Sequence, residues 1–147
     1  MLKSENVAGA RPAVYPDEAG KVLVSDGTYE ITAALNVDEQ VVALCVLPAG
    51  CIPLDFTLVT DDLDSGGPSI VVNGGGINAG ETDIDQIMIS GSTVAQGGGI
   101  ARSTLFPVVA PALVETLFGL QIKTAATTPA AGTIRGILTY RSTEYGV

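Results

Sequence analysis

Histidine and tryptophan are absent from this 147-residue chain, cysteine occurs twice, and aromatic residues make up only 5% of it. Each shortage excludes something. Without histidine there is no Ser-His-Asp or Cys-His nucleophile arrangement and no His-ligated zinc, because imidazole is the base or the ligand in each. Two cysteines six residues apart, Cys45 and Cys51, cannot complete a four-ligand zinc site. Both lie in apolar surroundings and read as buried thiols acting as small hydrophobes. A disulfide closing the Pro48-Ala49-Gly50 turn is conceivable geometrically but disfavoured by cytoplasmic redox conditions. Since 46% of the chain is nonetheless hydrophobic, its core must be built mainly from Val, Ile, Leu and Ala.

Positive charge is the next shortage. Seven bases face sixteen acids, for a formal net charge of -9. Lys3, Arg11 and Lys21 lie at the front, and Arg102, Lys123, Arg135 and Arg141 at the back. No Lys or Arg falls between Val22 and Ala101, where there are eleven acids. That balance argues against a nucleic-acid partner, whose affinity rests on bases neutralising phosphates. The acids are expected on loops facing solvent or a basic partner. The basic regions are expected to make contacts, with Arg102 in a salt bridge or an interface.

Long apolar runs are missing as well. The longest, Val41 to Leu54, is interrupted by Pro48, Gly50 and Pro53 and falls short of the roughly 20 residues a spanning helix needs. No membrane partner is expected. The start, "MLKSENVAGARP", has no apolar segment of the secretory kind, so synthesis in the cytoplasm is the default expectation.

What is present is a series of short β-branched runs bounded by Gly, Pro, Asn and Asp, the signature of strands. Residues 1–20 contain Pro12 and Pro16 and no sustained period, and read as an extended arm. Residues 21–147 read as one β-rich domain. "KVLV" leads to an expected turn at Asp26-Gly27 and then "TYEIT". "QVVALCVLP" leads through Ala49-Gly50 to "IPLDFTLVT", "PSIVV" stops at Asn73-Gly74, and "IDQIMIS" stops at Gly91. "TLFGLQIKT" and "TIRGILTYRS" flank the loop "AATTPAAG". In the last strand Ile134, Gly136 and Leu138 lie opposite Arg135, Ile137 and Thr139, which suits a central strand. The expected fold is all-β: a β-sandwich or jelly roll of roughly seven or eight strands. At most one or two short helical turns are expected, the best candidate being Ser92 to Gln96. A stripe of Leu113, Leu117 and Leu120 also has helical spacing, but Pro111 and Gly119 weaken it.

Candidate chemistry is sparse. "NGGGINAG" contains a GxGxxA spacing without the following helix and ribose-binding acid of a dinucleotide site, and both glycine clusters read as surface loops. "DDLDSGG" offers Asp61, Asp62 and Asp64 as weak calcium candidates. An EF-hand-like loop starting at Asp62 would place Asn73, not Glu, at its twelfth position. Glu81, Asp83 and Asp85 would share one face if they lay on a strand. A pair of these carboxylates serving as a glycosidase is disfavoured by the lack of aromatic residues to stack on sugars. No catalytic residue, cofactor or resident metal is expected.

The order of the segments carries a resemblance. The runs "TYEITAALNVDEQVVALCVLPAGCIPLDFTLVTDDLDSG", "PSIVVNGG", "INAGETDIDQIMISGSTVAQGGGIAR" and "LFGLQIKTAATTPAAGTIRGILTYRS", spanning roughly residues 22–142, follow one another behind an arm. This resembles small structural proteins encoded beside the major capsid gene of tailed bacteriophages, of the head decoration or cement kind. The resemblance implies a non-enzymatic virion protein on the head surface, made in the bacterial cytoplasm. Its partners would be the major capsid protein and itself, as a homo-dimer or homo-trimer. Leu2, Lys3, Arg11, Tyr15 and Arg102 are the residues expected to touch partners. The alternatives are a tail-tube or fibre-associated part, a calcium-dependent carbohydrate-binding or adhesin module, and, least favoured, a carboxylate glycan hydrolase. A mean hydropathy of +0.40 accords with apolar surface covered by partners.

Overall fold

Apolar and polar residues alternate along most of the strand-like runs, so each can bury one face while the other meets water. The computed structural model describes residues 1–4, 7–8 and 21–143. Nine strands form: β1 (Leu2–Lys3), β2 (Val22–Ile31), β3 (Val41–Leu47), β4 (Cys51–Thr60), β5 (Val71–Ile77), β6 (Ile84–Ser92), β7 (Gly99–Arg102), β8 (Thr116–Thr124) and β9 (Gly132–Ser142). Among the described residues the helical content is two 3-10 turns, Ala33–Leu35 and Val94–Gln96. The second lies where the sequence predicts a turn, and the Ser92 hydroxyl accepts the Val94 N–H at its start.

The strands make two sheets, ordered β1-β3-β8-β5-β6 and β2-β9-β4-β7. Antiparallel pairs nest inside one another: β5 with β6, β4 with β7, β3 with β8, and β2 with β9. The chain is thus a long hairpin, its tip at β5–β6, rolled so that β4 and β9 meet, as do β5 and β8. This is the jelly-roll form of the sandwich. As the sequence predicts, β9 is central, with Ile134, Gly136, Leu138 and Tyr140 facing inward and buried. The expected turn at Ala49-Gly50 also forms, but it carries the chain from one sheet to the other, since β3 and β4 belong to different sheets.

Between the sheets lies one core, in which Ile31, Leu44, Leu47, Phe56, Leu58, Leu63, Ile70, Met88, Phe118, Leu120, Ile122, Leu138 and Tyr140 are almost wholly buried. Burying each such side chain stabilises the fold by about 1.5–3 kcal/mol. A smaller cluster of Val41, Ala43, Ile77 and Ile84 forms beside it, with Met1, Val7, Ile87 and Leu117 packed against it. This second cluster is why β3 is buried at every position.

Two expected turns are not turns. β2 runs unbroken through Asp26-Gly27, paired residue by residue with β9. A Cβ on Gly27 would overlap the Leu44 carbonyl oxygen, so glycine serves close approach of the opposite sheet there. β5 likewise continues through Asn73, Gly74, Gly75 and Gly76. That glycine cluster is therefore a buried strand and not a surface loop. A side chain at Gly74 would meet Leu58 and Phe56, and one at Gly75 the Gln86 carbonyl. Leu54 breaks the inward–outward alternation of β4. A bulge between Pro53 and Asp55 turns it outward, and it is exposed.

Candidate interface

The first residues are built into the sandwich edge. β1 adds to β3 in parallel, with Leu2 opposite Val42 and Lys3 opposite Ala43. Leu2 packs against the main core. Ser4 follows, its N–H donating to the Ala43 carbonyl at 2.8 Å and its hydroxyl to the Leu44 carbonyl at 2.7 Å. Lys3 Nζ lies 3.7 Å from Glu81. Arg11 and Tyr15 lie outside the described residues.

The acids are mostly occupied with their own backbone. Asp64 is buried, and its Oδ2 accepts the Ser69 N–H at 2.7 Å, the Ile70 N–H at 3.1 Å and the Ser69 hydroxyl at 3.1 Å. The Ser69 N–H above all holds this carboxyl below its ordinary value of 3.8, with burial opposing. Asp62 accepts the Asp64 N–H, and Asp61 accepts the Thr133 N–H. The "DDLDSGG" segment is accordingly tied together by its carboxylates. Among the described residues no group of three Asp, Glu, Cys or His side chains is placed to hold a metal ion. Glu81 and Asp83 precede β6 in a turn, where the Asn78 side chain accepts the Thr82 and Asp83 N–H groups, so they do not share a strand face with Asp85.

The bases are similarly engaged. Arg135 pairs with Asp26 at 3.0 Å, Lys123 with Glu39 at 2.8 Å, and Arg102 approaches Asp55 at 4.0 Å. Glu39 also accepts from Gln121, and this cradle raises the Lys123 ammonium above its ordinary value. These pairs are substantially exposed and worth little individually. They do neutralise bases that the sequence reading assigned to outside contacts.

The thiols are inward and free. Cys45 and Cys51 are both fully buried, and burial pushes both up, most strongly Cys45. Beside β7 an open groove of about 450 Å³ is lined by Ile89, Val94, Ile100, Ala101 and Thr104. It presents Arg102 as its charged group, and no acid–base pair faces it.

Beyond β7 the chain continues as a strap over residues 103–115, along the part of β4 that β7 leaves unpaired. Ser103 donates its N–H to the Phe56 carbonyl, and its hydroxyl bonds Asp55. Thr104 and Leu105 both donate to the Met88 carbonyl of the other sheet. Ala112 donates to Cys51 and accepts from Gly50. The strap therefore closes one side of the sandwich while leaving Leu105, Phe106, Val109, Leu113 and Val114 exposed.

Two solved structures with this architecture come from phage shells. A chain in the capsid of Ralstonia phage GP4 matches with a TM-score of 0.80 and 30% identity, over 96% of this chain and 97% of that one. A chain in the cyanophage Pam1 capsid asymmetric unit matches with a TM-score of 0.72 and 33% identity, over 93% and 96%. The chain belongs to a family of phage capsid proteins. No protein-family model matches the sequence, and no curated protein does.

For a phage capsid protein, a virion component, the relevant chemistry is contact between surfaces. Of the residues expected to make it, Leu2 and Lys3 are held on β1 and Arg102 stands on β7 beside the strap. The sequence reading missed the strap itself. Its signal was present as "STLFPVVAPALV", an apolar stretch that fits neither strand nor helix periodicity.

Proposed function

We propose that this capsid-family protein is a head decoration or cement protein. It binds the outer surface of the phage shell as a homo-dimer or homo-trimer and bridges neighbouring subunits of the major capsid protein, without catalysis. The observation that carries the reading is near full-length likeness, at 30% and 33% identity, to two chains from phage capsids. A chain of this size with a single sandwich core suits an attached part, and its free buried thiols accord with synthesis in the host cytoplasm. In this reading Leu2 and Lys3 pin the start of the chain to the body. The arm, through Arg11 and Tyr15, contacts the shell together with Arg102. A segment of that kind gains main-chain hydrogen bonds by adding to a sheet edge.

The test is to mix the purified protein with shells assembled from the major capsid protein of the same phage. Intact protein should co-sediment with the shells and raise their resistance to heat, and protein lacking residues 1–20 should bind more weakly. Failure of the intact protein to bind or stabilise shells would sink the proposal. Electron microscopy of labelled virions should place it on heads, and label confined to tails would replace this role with the tail-associated one.

A further inference from the structure

The strap from Ser103 to Val114 contains no ionisable residue, in a chain whose formal net charge is -9. Along it Leu105, Phe106, Val109, Leu113 and Val114 are 47%, 56%, 85%, 95% and 70% exposed, and Leu54 is 37% exposed. Both ends are anchored to the body by backbone hydrogen bonds. Pro107 and Pro111 fix φ at two positions between the anchors. The exposed side chains thus stand on a segment whose shape is largely set before anything binds it, which lowers the entropy cost of association.

We propose that the strap is a self-association surface and that its occupant is the strap region of a second copy of this chain. Area is the first argument. The exposed side chains present on the order of 600 Å² of apolar surface, at the upper end of what a monomer leaves uncovered. That is near the roughly 800 Å² each partner contributes to an interface of standard size. Charge is the second. Two chains of this net charge repel on approach, and a strap with no ionisable group of its own lets them meet along it with the nearest charges, Asp55, Arg102 and Glu115, left at its edges. Order of events is the third. A protein made free in solution carries this surface before any shell is at hand, and contact between copies covers it at once. The inference rests on the homo-oligomer of the reading above and adds the surface that forms it; it does not depend on shell binding.

The decisive measurement is sedimentation of the full chain from low to high micromolar concentration, compared with the double variant Val109→Asp/Leu113→Asp. The wild type should sediment as an oligomer, and the variant as a monomer, its association weakened on the order of a hundredfold or more. The variant should still unfold in one cooperative transition, at a midpoint below wild type only by the stabilisation that association lends. A Val109→Ser/Leu113→Ser variant provides the same comparison if the acidic pair fails to fold. Added salt should leave wild-type association intact or strengthen it. A monomeric wild type would overturn the proposal, as would a folded variant that stays oligomeric or an oligomer that dissociates in salt. Shell binding by the same variants is scored separately, so loss of shell binding and loss of self-association are distinguishable.

Discussion

Gly27 and Gly136 face each other across β2 and β9, and the backbone and side chain of Leu44 from the opposite sheet rest on the pair. A Cβ on Gly27 would collide with the Leu44 carbonyl and crowd the Ser4 hydroxyl; one on Gly136 would lie 2.9 Å from Leu44 Cβ. The two sheets come close together here, where β2 and β9 carry no side chain.

Gly27→Ala is therefore expected to destabilise the protein by about 3 kcal/mol, near the upper end of overpacking costs. Because Ser4 bonds the same Leu44 carbonyl, the variant should also expose the β1 amides to hydrogen exchange. Gly67→Ala is the control, since nothing lies within 4 Å of a Cβ there. Its unfolding free energy should stay within about 0.5 kcal/mol of wild type.

The rings of Phe56 on β4 and Phe118 on β8 meet edge to face across the core, centroids 5.8 Å apart at 66°. Either Phe→Ala change should cost about 3–5 kcal/mol. The double variant should cost less than the two singles added together, by about 0.5–1.5 kcal/mol of coupling. Chemical denaturation of the four proteins in the cycle measures it, and strict additivity would mean the rings act independently.

Asp64 predicts an acid-sensitive loop. Its carboxyl titrates below its ordinary value of 3.8 in the folded protein. The ionised form is thus favoured by folding, and its contribution is full above about pH 4. It disappears as pH falls through the lower folded-state value. Asp64→Asn should lower the denaturation midpoint at neutral pH, and the gap between variant and wild type should narrow in acid. A constant gap from pH 7 to pH 2 would contradict this role.

Cys45 and Cys51 should be unreactive in the native state, because burial keeps both as thiols. Alkylation followed by mass spectrometry should show labelling at the rate of global unfolding. Rapid labelling of either in the folded protein would contradict the buried placement.

Much of the fold was legible because strand faces repeat every two residues. The central position of β9 followed from apolar residues on both its faces, and the 3-10 turn at Val94–Gln96 from the short run before the glycines. Asp26-Gly27 and Asn73-Gly74 were misleading for one reason. Glycine has the same local appearance whether it permits a turn or makes room for a neighbour, and only the opposite sheet decides. Leu113, Leu117 and Leu120 show the same limit. Their spacing is helical, yet Leu113 stands on the strap while the other two lie on β8. The acids of the "DDLDSGG" segment could be picked out as a group, but their partners, such as Ser69 and Thr133, could not.

The nested pairing has a consequence for how the protein comes into being. β5 and β6 are adjacent in sequence and pair directly, whereas β2 has β9 as its sheet neighbour. A nascent chain that has not yet reached Gly132 lacks the strand that separates β2 from β4, and half of the sandwich has no centre. Local pairing can begin at the hairpin tip during synthesis, but closure waits for the last strand to leave the ribosome. Closure of the sandwich therefore depends on β9, and deletions that cut into Gly132–Ser142 should be far more damaging than their few residues suggest.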